Sequence, residues 1–202
     1  MKVVIYDKQN QDWFGIGTPN SPGMSINSVT VEVFNGQNVL FLAGDFTYNI
    51  AGNVYDALAY YNLDTSTWIP PPQIYYSAVV AELLVNNTGT MFMCGQIYPK
   101  NLENANGLES YNLISEVTNT LGALQRTFVN SMLLYTYPNY TQSIYAASNF
   151  AINGTYAGFM SYPLPGGSWT PSGQSSILYD YFSGYGTALL YKTGGKGLNG
   201  MP

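Results

Sequence analysis

Leu58-Ala59-Tyr60-Tyr61-Asn62-Leu63-Asp64-Thr65-Ser66-Thr67-Trp68 is an apolar run that ends in a tyrosine, passes a turn former and reaches a tryptophan seven residues after Tyr61. The same step recurs as Tyr6/Trp13 and Tyr162/Trp169, with Tyr111/Thr118 as a degenerate copy. Trp13, Trp68, Thr118 and Trp169 lie 55, 50 and 51 residues apart, which indicates a repeat of roughly 50 residues. An apolar residue stands three before each tyrosine: Val3, Leu58, Leu108 and Phe159.

Outward from that step, apolar and β-branched runs bounded by Gly, Pro, Asn and Asp recur about every ten residues, and no stretch holds a helical period over three turns. The chain reads as all-β. Each unit has a first strand, a tight turn, a second strand closing on small residues, a longer loop, a third strand ending in Tyr and a fourth segment carrying Trp. First strands are read at 29–34, 79–85, 128–134 and 177–182, and second strands at 39–43, 91–94, 144–147 and 188–192. Turn formers Asn35-Gly36, Asn86-Asn87, Tyr137-Pro138-Asn139 and Ser183-Gly184 separate them. The small pairs Ala43-Gly44, Cys94-Gly95 and Ala147-Ser148 are expected where a larger side chain would obstruct packing between neighbouring sheets.

The chain opens on a third strand and closes after a second strand, so its two half-units add up to one unit. A sheet of this kind buries its faces only by stacking on others, and radial stacking predicts a β-propeller of four-stranded antiparallel blades. The reading is one domain: half-blade 1–20, blades 26–74, 75–124 and 125–174, and half-blade 175–202. If the chain is complete there are four blades, closed by pairing Val3–Tyr6 in one sheet with Ala188–Tyr191. Two chains forming an eight-bladed ring, or a slice of a longer propeller, are the alternatives.

Composition bounds the function. Hydrophobic residues make up 46% of the chain and charged residues only 8%, so the polar surface is left to Asn, Ser, Thr, Gln and Tyr. A net charge of -5 with six basic residues, Arg126 the only arginine, gives nothing to neutralise a phosphate backbone; nucleic acid is not an expected partner. No apolar run is long enough to span a bilayer as a helix, and Met1–Ile5 is too short for a signal-peptide core. The chain is therefore expected to be cytosolic or a mature piece of something secreted. Cys94, the single cysteine, sits in the apolar run Met91-Phe92-Met93-Cys94 and reads as a small core residue.

The chain contains no histidine, which removes imidazole-based nucleophile activation and conventional zinc sites. Paired carboxylates remain as an enzymatic resource. Asp7, Asp12, Asp45, Asp56 and Asp64 each stand beside Gly, Asn or a strand end, where an Asx turn explains them. Glu32, Glu82 and Asp180 occupy similar places in first strands, spaced 50 and 98 residues apart. Carboxylates converging on a propeller axis would repel one another unless a cation such as Ca²⁺ sat among them, so these three are the candidate metal ligands. Gly195 to Gly200 matches G-x-G-x-x-G by letter, but the chain ends at Pro202 with no helix to follow, so it reads as a loop or tail. Asn86, Asn139 and Asn153 head glycosylation sequons, the first two in turns after a first strand.

Val39-Leu40-Phe41-Leu42-Ala43-Gly44-Asp45-Phe46-Thr47, followed by Ala57 to Trp68, resembles the kelch-like, galactose-oxidase-type propeller repeat: a strand ending in Gly-Gly or Gly-Asp-Phe, a Tyr-Asp/Asn turn and a Trp. Asn149-Phe150 is similar to Asp45-Phe46, whereas unit 2 lacks the Trp. The resemblance implies a cell-surface or secreted protein. The family's copper-radical chemistry requires imidazole ligands, so the resemblance is to a non-catalytic member with no resident cofactor, the axial Ca²⁺ apart.

The expected function is a binding or structural module that meets a protein or glycan through loops 45–56, 96–106 and 149–157. Phe46, Tyr48, Tyr55, Tyr98 and Tyr156 are the candidate contacts, able to stack on sugar rings or fill pockets. A carboxylate-based carbohydrate-active enzyme is the competing class.

Overall fold

A chain of short alternating strands leaves every backbone N–H and C=O to be paired sideways, so its first structural decision is which strand lies beside which. In the computed structural model, which describes residues 3–8, 10–16, 25–72, 75–86, 88–99, 106–121, 128–152 and 155–171, each strand pairs with its neighbour in sequence. The strands are β1 (Val4–Asp7), β2 (Asp12–Gly15), β3 (Ser25–Phe34), β4 (Gln37–Ile50), β5 (Asn53–Asn62), β6 (Thr67–Ile69), β7 (Tyr75–Val85), β8 (Thr90–Pro99), β9 (Asn106–Asn112), β10 (Val117–Thr120), β11 (Ser131–Thr136), β12 (Gln142–Ile152), β13 (Thr155–Leu164) and β14 (Thr170–Pro171). They form three four-stranded antiparallel meanders, β3-β4-β5-β6, β7-β8-β9-β10 and β11-β12-β13-β14, and the pair β1-β2. The described residues contain no helix. Residues 175–202, with Asp180 and Gly195 to Gly200, lie outside the described residues.

The seven-residue step is a hairpin seen edge-on. Tyr6 pairs with Trp13, Tyr61 with Trp68 and Tyr111 with Thr118 across the third and fourth strands. Ring centroids lie 4.9 Å apart in Tyr6/Trp13, 5.0 Å in Tyr61/Trp68 and 5.1 Å in Tyr162/Trp169. The residue after the tyrosine closes the turn: the Asn62 side-chain oxygen accepts from the amides of Asp64 and Thr65, and Asn112 does the same for Ile114 and Ser115. Gln11, Ser66 and Glu116, each two before the Trp or Thr, share φ of 56°, 56° and 57°. Seven residues are what this turn needs to bring the pair face to face.

The sheets stack in chain order. Strand β7 packs on β3, β4 and β5, and β11 packs on β7 and β8. Phe41, Leu58 and Tyr60 of the first meander meet Val80, Leu83, Met91 and Met93 of the second. Phe92, Cys94 and Leu108 on the opposite face meet Met132, Ile144, Met160 and Tyr162 of the third. A sheet covered on both faces needs consecutive apolar residues, which is why Met91-Phe92-Met93-Cys94 is unbroken. Cys94 is a free thiol at 0% exposure, as its neighbours suggested, and burial followed by the Glu82 carboxylate holds its pKa well above the usual range. On the outer face of the first meander, Leu40, Leu42, Tyr48, Tyr61 and Trp68 are covered by Val3, Ile5 and Ile16.

Two expectations change. The connections at 45–56, 96–106 and 149–157 are largely strand: β4 runs on to Ile50 and β5 begins at Asn53, β8 runs to Pro99, and β12 and β13 leave only 153–154 between them. Each hairpin passes a bulge, at Ala43/Thr47, Cys94/Ile97 and Ala147/Phe150, and then resumes pairing. The small residues serve that bulge, and their steric partner is their own sheet. A Cβ on Gly44 would stand 2.0 Å from the Ser25 carbonyl oxygen, and one on Gly95 2.1 Å from that of Val79.

Candidate interaction surface

The first strands carry a second bulge, at Ile26/Ser28 in β3 and at Val80/Glu82 in β7. An extra residue in one strand re-aims the side chain that follows it. Here it turns that side chain toward the next sheet. The Ser28 hydroxyl accepts from the Leu83 amide at 3.1 Å and donates to the Leu83 carbonyl at 3.3 Å. The Glu82 carboxylate accepts from the Met132 amide at 2.6 Å and the Ser131 hydroxyl at 2.9 Å. Ser28 pairs with Ala43, Glu82 with Cys94 and Ser131 with Ala147, so Ser28, Glu82 and Ser131 hold one register, and Leu83 and Met132 the next.

That register displaces Glu32. Glu32 pairs with Val39, four residues along β3 from Ser28, which is about 13 Å at strand spacing. Its match to Glu82 followed a spacing of 50 residues, but the hairpins differ in length: 15 residues separate Ser28 from Ala43 and 12 separate Glu82 from Cys94. Glu32 and Glu82 therefore stand at different levels, and Glu82 is bonded into the third meander. Among the described residues no three acidic, cysteine or histidine side chains gather in a metal-holding group.

Of the acids expected in Asx turns, Asp7 and Asp12 bond locally, whereas Asp56 and Asp64 accept from residues of distant strands. Asp7 accepts from the Asn10 amide and side chain, and Asp12 from the Trp13 amide. Asp64 accepts twice from Asn38, which holds its carboxyl below the usual range, and it ties the 63–66 turn to the start of β4. Asp56 accepts from the Ala78 amide of the second meander at 3.2 Å; burial nevertheless pushes its pKa up, and the nearby Asp45 charge adds to that. Glu109, which sequence reading did not weigh, is 1% exposed in β9 between Met93 and Thr120. Its signal was an acid inside the apolar third-strand run, at the place where the first meander has Ala59.

The aromatics expected to be presented to a ligand divide. Phe46, Tyr48 and Tyr55 are 3%, 6% and 8% exposed, in the cluster beneath β1 and β2. They are buried because β4 resumes after its bulge and alternation turns residues 46 and 48 inward. Burial, then Tyr55 beside it, pushes the Tyr48 hydroxyl far above its usual pKa. Tyr98 is exposed and accepts a hydrogen bond from the Gln96 side chain. The backbone of Tyr156 pairs with Ala151, and its side chain lies outside the described residues.

An aromatic patch that the sequence reading did not single out lies on β11 and β12. Tyr135 and Tyr137 meet edge to face at 4.8 Å, and Tyr135 and Tyr145 at 6.5 Å. The hydroxyls of Tyr137 and Tyr145 are 2.5 Å apart. Burial, and then the Tyr137 hydroxyl, push the Tyr145 pKa up to about 12. Tyr140 stands beside them in the connecting turn at 87% exposure. The sequon residues share this hairpin end of the sheets: the Asn86 and Asn139 side-chain oxygens accept from the hydroxyls of Thr88 and Thr141, both at 2.7 Å. Asn153 lies outside the described residues. None of the described helices could cross a membrane, there being none.

No protein-family model matches the chain, and no curated protein matches it.

Proposed function

We propose that this chain is a non-catalytic binding module of the kelch-like propeller type, its meanders serving as blades, and that it acts at a cell surface or in secretion by recognising glycans. The observation that carries the reading is the half-exposed tyrosine patch of β11 and β12, with Tyr140 at its edge. A sugar ring offers an apolar C–H face and a fringe of hydroxyls; aromatic faces edged by phenol hydroxyls complement both. The bonding of Glu82, Asp56, Asp64, Asp7 and Asp12 into turns and sheet junctions favours binding over carboxylate catalysis.

A glycan array followed by titration calorimetry tests this. Tyr135→Ala or Tyr140→Ala should weaken the best array ligand by about tenfold. A blank array, or a ligand indifferent to both substitutions, overturns the glycan reading; a protein captured instead through the same tyrosines would replace it.

A further inference from the structure

Two hairpin turns share one geometry and differ in one residue. Between β7 and β8, the Asn86 amide donates to the Thr90 carbonyl at 2.9 Å and the Gly89 amide to the Asn86 carbonyl at 3.1 Å. Between β11 and β12, the Tyr137 amide donates to the Thr141 carbonyl at 2.8 Å and the Tyr140 amide to the Tyr137 carbonyl at 2.9 Å. Gly89 and Tyr140 therefore hold the same position, and both are left-handed, with φ of 74° and 65°. A Cβ is crowded in that conformation, and glycine is its ordinary occupant. The third meander instead sets a phenol ring there, 87% exposed. A ring held in a strained conformation and almost clear of the protein points to a contact outside it. Tyr135 and Tyr145 lie beside it on an open face: Leu134 and Ile144 pack toward the second meander, and alternation turns their neighbours the other way.

The chemistry around these rings is neutral. No Asp, Glu, Lys or Arg occurs between Arg126 and Asp180, a stretch that contains the whole third meander, whereas the first carries Glu32 and Asp56 and the second Glu82 and Glu109. The polar side chains that accompany the phenols at this end are Thr136, Asn139, Thr141 and Gln142, all amides or hydroxyls. Among the described residues, what acts on the Tyr145 hydroxyl besides burial is the pair of hydroxyls on Tyr137 and Tyr135. We infer that this site takes a neutral glycan, one without carboxylate, sulfate or free amine, and that the Tyr140 ring lies against a sugar face. The inference rests on the glycan-binding reading above and names the ligand class of that site. A charged substituent brought here would shed water and meet no opposite charge, whereas sugar hydroxyls exchange water for amides and hydroxyls that both donate and accept. The net charge of -5 further disfavours anions.

The test is an array on which each neutral glycan is printed beside its sialylated, sulfated or uronic-acid counterpart, and each N-acetylated chain beside its deacetylated form. Among pairs whose binding to the full chain is lost in a Tyr135→Ala variant that keeps a cooperative urea transition, the neutral member should bind at least about tenfold more tightly. Its affinity by calorimetry should change less than about twofold between low salt and about 0.5 M sodium chloride, since no ion pair is there to screen. Tyr140→Gly should weaken the same neutral glycan about tenfold and at the same time raise the urea midpoint, because the left-handed strain is relieved. A tyrosine kept only for the fold would not pair lost binding with gained stability. Tyrosine-dependent preference for a charged member, or full affinity in Tyr140→Gly, overturns the inference and leaves glycan binding standing. A blank array overturns both.

Discussion

The junction between the first and second meanders and that between the second and third solve one problem with different chemistry. In the first, a neutral hydroxyl, Ser28, both accepts from and donates to Leu83; in the second, a carboxylate, Glu82, accepts from Met132 and Ser131. Register and bulge are shared, so geometry is what the repeat preserves. A charged acceptor bonds more strongly and costs more to desolvate, and it is tolerated because two donors meet it. The first junction carries its carboxylate elsewhere, at Asp56, where the Ala78 and Ala57 amides both donate and burial still dominates.

Breaking the charged junction should have the largest effect. Glu82→Ala removes the acceptor of the Met132 amide and should lower stability by about 3 kcal/mol, read from urea unfolding midpoints at constant slope. Glu82→Gln should recover more than half, since its amide oxygen still accepts. Ser28→Ala should cost about 1 kcal/mol at the neutral junction. Equal losses from the two alanine variants would show that charge makes no difference between them.

The outer hairpins sharpen the comparison. Tyr111 faces Thr118 where its counterparts face Trp, so Thr118→Trp should add about 0.5–1 kcal/mol through an edge or tilted ring contact, visible as a raised melting temperature. No change would mean that the second meander lacks room for the indole.

The smallest effect expected is at Asp56. Its folded-state pKa is raised, so its contribution to stability is full below the ordinary carboxylate range and is lost as pH rises through the raised value. Asp56→Asn keeps an acceptor for Ala78 and should flatten stability against pH over that interval. An unchanged pH profile would show that burial of Asp56 is not felt.

Much of this architecture was legible in the repeat. The Tyr-to-Trp step marks a four-residue turn with an Asx cap and a left-handed residue before the second strand, and each of these is local. Phe46, Tyr48 and Tyr55 were misread as rim contacts because Gly44-Asp45 reads as a strand end, whereas pairing with β5 resumes at Thr47. The steric reason for Gly44 lies in the Ser25 carbonyl, 19 residues away in the chain, and local reading does not reach it. Glu32 was misplaced because counting residues assumes hairpins of equal length. The tyrosines of β11 and β12 carry no repeat signal, since packing does not require them, and so recurrence could not single them out.

By itself the sequence determined the unit: which runs are strands, where the outer turn closes, and that Tyr6 belongs with Trp13 as Tyr61 belongs with Trp68. Those follow from propensity and turn chemistry within about a dozen residues. The tertiary structure decided what the carboxylates do and which aromatics face solvent. Both depend on bulges and on the sheet alongside, through contacts about 50 residues apart, such as Glu82 with Met132. A side chain's partner across two sheets is set by register, and register is a property of paired strands rather than of either strand alone.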